Sequence, residues 1–270
     1  MSIVTKVRRW YNQLPHAGSP VGDQVRDAFI ANFYATVGGE GLVRLLWLPK
    51  IGNTTTTTSE ERNASIFTYD ATIAARISRL GSGVAVDFDG TDDEADTPSS
   101  TAFNFGTGLT DEPFSVIAVC IPDVNNAAMT LLGKLSSATA EQWEFGLNAS
   151  GHPVLTLTDE SASATLTGTH AVAAGTAAVL LASSYNGTRA SVGIKIYKNG
   201  LVVATTAGGT GTYVAMEKLT PLVHLGARYT TKEQFFNGKL ALVALVAAEL
   251  DADQHFALKA LVNSFFDLTL

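Results

Sequence analysis

The sequence predicts an all-β protein, a two-sheet antiparallel sandwich with a short helical N-terminal arm and a C-terminal helix. Three observations carry this. From Val84 to Lys239, short β-prone runs recur every ~8–15 residues between Gly, Asn and Asp turns, as in all-β sandwiches. Ile194 and Ile196 alternate with Lys195 and Tyr197, Asn199-Gly200 interrupts, and Leu201–Ala204 resumes. Asn-Gly between two such runs marks a tight hairpin, because both turn positions need positive φ. Phe114–Ile121 is apolar on both alternating faces (Val116, Ala118, Cys120; Ile117, Val119, Ile121), as expected of a central strand covered on both sides.

Taken in order, Ile3, Val7, Trp10, Tyr11 and Leu14 fall on one face of a helix that Pro15 ends. Gly18-Ser19-Pro20 forms a break. A second short helix, with Asp23 as its cap, carries Val25, Ala28, Phe29 and Phe33 on one side and stops at Gly38-Gly39. Leu42–Leu48 reads as a strand ended by Pro49, and Gly52–Asn63 as an exposed, Thr-rich loop. Strands are predicted at Ile66–Tyr69 and Val84–Phe88. Further strands are predicted at Phe114–Ile121, Met129–Gly133, Trp143–Asn148, Val154–Thr158, Ala164–Gly168, Ala177–Ser183, the hairpin, Leu222–Gly226 and Phe236–Val246. Ile194, Ile196, Val202, Val179, Leu181, Val116 and Ala118 are expected inside, with Lys195 and Lys198 outside. A helix over 251–266 closes the chain. Asp251 is its N-cap, Gln254 completes a capping box, and Phe256, Ala257, Ala260, Leu261, Ser264 and Phe265 form its expected buried stripe. The division is then residues 1–40 as an arm and 41–270 as the sandwich domain.

Composition excludes several classes. Hydrophobic residues make up 46% of the 270-residue chain and charged ones only 16%, so the chain must bury much of its length. A net charge of −7 argues against nucleic-acid binding, which needs basic surface. The single Cys120 lies in an apolar strand and reads as a buried, inert thiol. The longest apolar run, Leu240–Ala248, is nine residues, against the ~20 a spanning helix requires, so membrane insertion is not expected. Met1–Pro15 lacks the apolar core of a signal peptide, and the expectation is a soluble chain made in a reducing compartment.

No Gly-x-Ser-x-Gly, Walker or dinucleotide motif is present. The five histidines, His16, His152, His170, His224 and His255, lie in separate elements with no metal-binding spacing, and each reads as a surface or satisfied histidine.

Several landmarks together resemble a known family. Val86-Asp87-Phe88-Asp89-Gly90-Thr91-Asp92-Asp93, Phe114-Ser115-Val116, the Tyr185-Asn186-Gly187 and Tyr197-Lys198-Asn199-Gly200 turns, His224-Leu225-Gly226-Ala227, Phe236-Asn237-Gly238-Lys239-Leu240 and the Leu250–Phe256 helix start come in a set order. In that order they resemble the laminin-G-like, concanavalin A-like jelly roll of tailed-phage structural proteins, over about 46–266. The turn here continues Asp92-Asp93-Glu94-Ala95, where that group carries an aromatic or large aliphatic residue.

The resemblance implies a jelly roll and two families of function. One is a non-enzymatic virion protein, a head decoration, spike or tail component assembled in the host cytoplasm. It would dock on capsid or tail proteins or on further copies of itself, and would bind host polysaccharide. The other is a free carbohydrate-binding module or relic glycoside hydrolase. Laminin-G-like domains often carry one Ca²⁺ at the rim, which points to Asp87, Asp89, Asp92 and Asp93; a solvated Asp-Gly turn accounts for the same residues without a metal. Glucanases of this fold need two carboxylates on one strand face. The nearest pair, Glu141 and Glu144, lies three residues apart and should face opposite ways, so no enzyme is expected. Tyr185, Asn186, Tyr213 and Tyr229, near turns, are candidate sugar contacts. Val7, Arg8, Arg9, Trp10, Tyr11 and Leu14 are the expected docking stripe of the arm.

Overall fold

The computed structural model describes residues 20–49, 56–58, 66–69, 76–98, 101–135, 140–228 and 233–270. The chain begins with helix α1 (Pro20–Val37), then β1 (Val43–Trp47), β2 (Thr56–Thr58), β3 (Ile66–Tyr69), β4 (Ile77–Leu80), β5 (Gly83–Asp89) and β6 (Ala95–Thr97). The long central strands follow: β7 (Phe114–Pro122), β8 (Met129–Leu135), β9 (Glu141–Leu147), β10 (Pro153–Asp159), β11 (Ala164–His170) and β12 (Val179–Tyr185). It ends with β13 (Ile194–Lys198), β14 (Leu201–Val202), β15 (Thr205–Thr210), β16 (Val223–Leu225), β17 (Asn237–Val246) and helix α2 (Ala252–Phe266).

These strands form two antiparallel sheets. The eight-stranded sheet runs β14-β13-β12-β7-β17-β5-β4, with β1 also on β17. β17 is long enough to pair with β5 through its first half and β1 through its second. The nine-stranded sheet runs β15-β11-β10-β9-β8-β16-β6-β3-β2.

The alternation of the sequence explains the layering. Phe88, Phe114, Val116, Ala118, Trp143, Phe145, Leu155, Leu157, Ile194 and Ile196 fill the space between the sheets. The reverse face of the eight-stranded sheet, Leu46, Ile117, Val119, Leu180 and Ala182, is covered by Phe29, Phe33 and Val37 of α1 and Leu258, Val262 and Phe266 of α2. β7 is therefore buried on both faces, as its unbroken apolar run predicts. The opposite, outer face of the nine-stranded sheet has no such helical layer among the described residues. No helix among them is long and apolar enough to cross a membrane.

The Asn199-Gly200 hairpin is as expected: both residues have positive φ (52° and 73°), the type I′ requirement. Ile194 and Ile196 are buried and Lys195 is exposed, while Lys198 is half-buried with its ammonium donating to the Ala173 carbonyl at 2.7 Å. Val202 departs from expectation at 51% exposed. β14 is a two-residue edge strand with no further strand on its outer side, so alternation alone did not decide its burial. α2 has the predicted capping box, but its fully buried residues are His255, Leu258, Val262 and Phe266; of the expected stripe, Leu261 and Phe265 are half-buried against the same core and the other four residues are exposed. Phe256 is 58% exposed. Both stripes are apolar in sequence; docking selects the one whose imidazole stacks on Tyr197 at 3.7 Å.

α1 starts at Pro20, three residues ahead of the expected Asp23 cap, since proline is tolerated in a first turn. It packs on the domain itself, and Arg26 donates to the Leu48 carbonyl at 2.7 Å. The segment from residue 24 on thus shares the outer core. The docking stripe of Val7, Arg8, Arg9, Trp10, Tyr11 and Leu14, and His16, lie outside the described residues. Three short strands went unforeseen among the described residues between 76 and 210: β4, β6 and the Gly-rich β15. β2 was unforeseen too, read as loop.

Candidate functional site

The outer face of the nine-stranded sheet is built by simple alternation. Leu155 and Leu157 of β10 point into the core, so Thr156 and Thr158 point out. Register then aligns Thr158, Thr165 and Thr210 across β10, β11 and β15, and beside them Thr156, Thr167 and Gly208, then Val154, Thr169 and Thr206. The Thr165 and Thr210 hydroxyls bond each other at 3.0 Å. The result is an uncharged, partly exposed patch of hydroxyls and methyls, ending at the free edge of β15. Thr and Gly here read as β-formers and a turn; their alignment depends on strand pairing, which local pattern does not reveal.

Along the same face, Thr156 pairs with Glu144 of β9, next to a charged cluster. Arg228 reaches Glu144 with Nε at 3.2 Å and Glu141 with Nη2 at 3.1 Å. Thr130 donates to Glu144 and Thr158 to Glu141. The two glutamates therefore lie on one side, against the expectation of opposite faces. The reason is a β-bulge: Lys134 pairs with Trp143 but Leu135 with Glu141, so Gln142 is an extra residue and the alternation slips. Gln142 itself turns to donate to the Glu217 carbonyl at 2.7 Å. Burial raises both glutamates' pKa, and Arg228 opposes the rise. Arg228 thus spans the carboxylate pair and offsets part of its charge.

The nucleophile–base geometry of Ser184 and His255 is closed. Ser184 Oγ lies 2.8 Å from His255 Nε2, but both side chains are fully buried and joined to Ser115 and Leu250. They pin β12 and β7 to the start of α2. Burial lowers the His255 pKa to about 4, with Asp251 opposing, which makes it a poor base at neutral pH. Cys120 is likewise inert, its thiol pushed up to about 12 by burial.

Among the sugar-contact candidates, Tyr185 is corrected: its ring is 0% exposed, in contact with Phe114, and its hydroxyl donates to Asp111 at 2.7 Å. Tyr213 donates to the same Asp111 oxygen at 2.8 Å, and Met216 N donates to the other at 2.9 Å. Asn186 accepts from Thr188 N and Oγ1 and so closes its own turn. Tyr185 and the half-exposed Tyr213 thus tie the 211–222 loop to Asp111. Tyr229 lies outside the described residues.

Of the proposed calcium aspartates, Asp89, Asp92 and Asp93 bring ligand oxygens within 4.8 Å of one another, and Asp87 stands apart from that group. Arg76 already bridges Asp89 and Asp93 at 2.9 Å each. Burial works to raise the Asp89 pKa, but the Thr91 and Asp92 amides and Arg76 hold it below the usual range. Calcium would have to displace that guanidinium.

Sequence pattern grouped Asp96 with the neighbouring aspartates, whereas the structure places it in a third cluster. Glu94, Asp96 and His224 meet because β6 and β16, far apart in sequence, are neighbouring strands. The only local signal was the Glu-x-Asp spacing of Glu94 and Asp96.

Solved structures with this architecture include the binding domain of Paraclostridial mosquitocidal protein 1 (TM-score 0.59, 9% identity over 82% of this chain and 52% of that one). The binding domain of botulinum neurotoxin serotype D/C aligns with TM-score 0.60 and 14% identity over the same shares. That of botulinum neurotoxin DC, solved with rat synaptotagmin II, aligns with TM-score 0.59 and 13% identity, again over 82% and 52%. The chain spans about half the length of these domains, and at such identity the likeness is one of fold. No curated protein matches the sequence. A family model does: residues 89–254, more than half of the chain, match the laminin-G-like model of the concanavalin A-like lectin/glucanases superfamily. The chain therefore belongs to that family, and its sandwich is a lectin-like jelly roll.

Proposed function

We propose that this protein is a non-enzymatic, lectin-like binding module that takes polysaccharide on the outer face of its nine-stranded sheet. The observation that carries it is the register-aligned threonine patch of β10, β11 and β15. Hydroxyls both donate and accept, and their methyls offer small apolar surfaces, which suits the mixed polar and C–H faces of sugar rings. The tied carboxylates and the buried Ser184–His255 pair favour binding over turnover. Among the solved neighbours, botulinum neurotoxin type C depends on interaction with two ganglioside molecules for cell entry, and the binding domain of botulinum neurotoxin DC is in complex with rat synaptotagmin II. Those ligands belong to those proteins; they support a receptor-binding use of the fold. The resemblance to tailed-phage proteins supports the finer reading, display on a virion as a head decoration, spike or tail part.

Two experiments test the two levels. Glycan-array and isothermal titration binding to bacterial surface polysaccharides should detect a ligand, and Thr167→Glu with Thr206→Glu should weaken it at least tenfold while the melting temperature holds. Unchanged affinity in that variant would refute the face. Mass spectrometry of purified phage particles should find the chain; its absence there would leave the free-module reading in its place. The relic-hydrolase reading has one observation in its favour, the convergence of Glu141 and Glu144 on one face. It requires reducing-sugar release that disappears in Glu144→Gln, and none is expected.

A further inference from the structure

We propose that Glu94, Asp96 and His224 form a binding site for one divalent d-block cation of the zinc type. The site uses none of the threonine patch, so it stands or falls apart from the polysaccharide reading.

The backbone assembles it. Asp96 and His224 are directly opposed residues of β6 and β16, a position that brings Cβ atoms to about 5 Å. Ala95 on one strand and Val223 and Leu225 on the other are core residues, so Asp96 and His224 are turned to the opposite, outer side. Glu94 sits two residues before Asp96 and shares that side. One ligand atom from each residue lies within 4.8 Å of the other two. Ligand bonds of about 2.1 Å hold donors up to about 4.2 Å apart, so closure on an ion needs only small side-chain rotations.

The second observation is the state of the histidine. His224 is 1% exposed, and among the described residues neither of its ring nitrogens makes a hydrogen bond. Nδ1 faces the Glu94 carboxylate at 3.5 Å, beyond bonding distance. A buried imidazole normally has its nitrogens satisfied, and an ion between His224 and the carboxylates does this. Asp96 is only half-buried and gives the ion a way in.

The donor set chooses the metal class. An imidazole nitrogen with two carboxylate oxygens suits zinc, cobalt or manganese, whereas calcium and magnesium take oxygen donors throughout. The Asp89–Asp92–Asp93 group is the oxygen-only contrast, and there Arg76 already supplies the positive charge.

The test uses the full chain freed of metal with a chelator and then dialysed. Zinc chloride titrated calorimetrically should bind one ion per chain and raise the melting temperature by several degrees, and calcium chloride should do neither at this site. Cobalt should give a visible d–d band. His224→Ala and the near-isosteric Asp96→Asn should each lower zinc affinity at least tenfold and remove the cobalt band, whereas Asp92→Asn should change neither. Asp96→Asn keeps the test usable if His224→Ala does not fold. The proposal is overturned if zinc up to 1 mM, about the limit of weak binding, gives no heat and no thermal shift. It is equally overturned if binding and the cobalt band persist in Asp96→Asn.

Discussion

At the scale of single residues, burial sets the chemistry. His255 sits between Tyr197 and Ser184 with its pKa lowered from 6.5 to about 4. The unfolded chain takes up a proton on this group as pH falls below about 6.5, while the folded one resists until about 4. Its contribution is complete above pH 6.5 and is lost across that interval, by about 3 kcal/mol. His170, also lowered mainly by burial, acts in the same direction. His255→Leu should therefore flatten part of the acid limb of a melting-temperature profile between pH 6.5 and 4, with His170 accounting for what remains. A limb of unchanged slope would count against this assignment.

At the scale of elements, two irregularities matter more than the regular ladders. The Gln142 bulge in β9 gathers Glu141 and Glu144 onto Arg228. Arg228→Met leaves two half-buried carboxylates facing each other and should destabilise the fold by about 1–3 kcal/mol at pH 7. Burial raises both glutamates' pKa relative to the unfolded chain, so the folded state gains stability on protonation, and the deficit should shrink as pH falls towards 4.5. Denaturant melts at the two pH values check both size and sign.

The β4–β5 hairpin is the second case. Gly81 turns at φ +58°, Ser82 N donates to the Phe266 carbonyl at 2.8 Å, and Ser82 Oγ donates to Phe265 O at 2.9 Å. A sheet turn thus caps the last carbonyls of α2. A Cβ on Gly81 would stand 1.8 Å from the Phe266 oxygen. Gly81→Ala should cost about 2 kcal/mol or more and raise amide exchange at the end of α2, whereas Ser82→Ala should cost about 1 kcal/mol.

At the scale of the whole molecule, one sheet serves two cores. The eight-stranded sheet packs on its partner sheet with one face and on α1 and α2 with the other. Phe33, fully buried in the outer core, ties residues 20–37 to the domain. Phe33→Ala should destabilise the whole sandwich in one cooperative transition, by about 3–5 kcal/mol. A separate early transition would instead show α1 to be an independent unit.

What sequence alone determined was whatever depends on near neighbours. The type I′ turn follows from Asn199-Gly200, the α2 cap from Asp251 and Gln254, the two-sided burial of β7 from its unbroken apolar run, and the sandwich from the spacing of such runs. Tertiary structure decided what depends on which strands become neighbours. Pairing of β6 with β16 brought Glu94 and Asp96 to His224, and the registers of β10, β11 and β15 aligned the threonines. One bulged residue reversed the expected facing of Glu141, and docking chose between two apolar stripes of α2. The physical reason is one of range. Turn, cap and alternation energies are set within a few residues, whereas register and docking are set by contacts between segments up to more than a hundred residues apart, which no local pattern encodes.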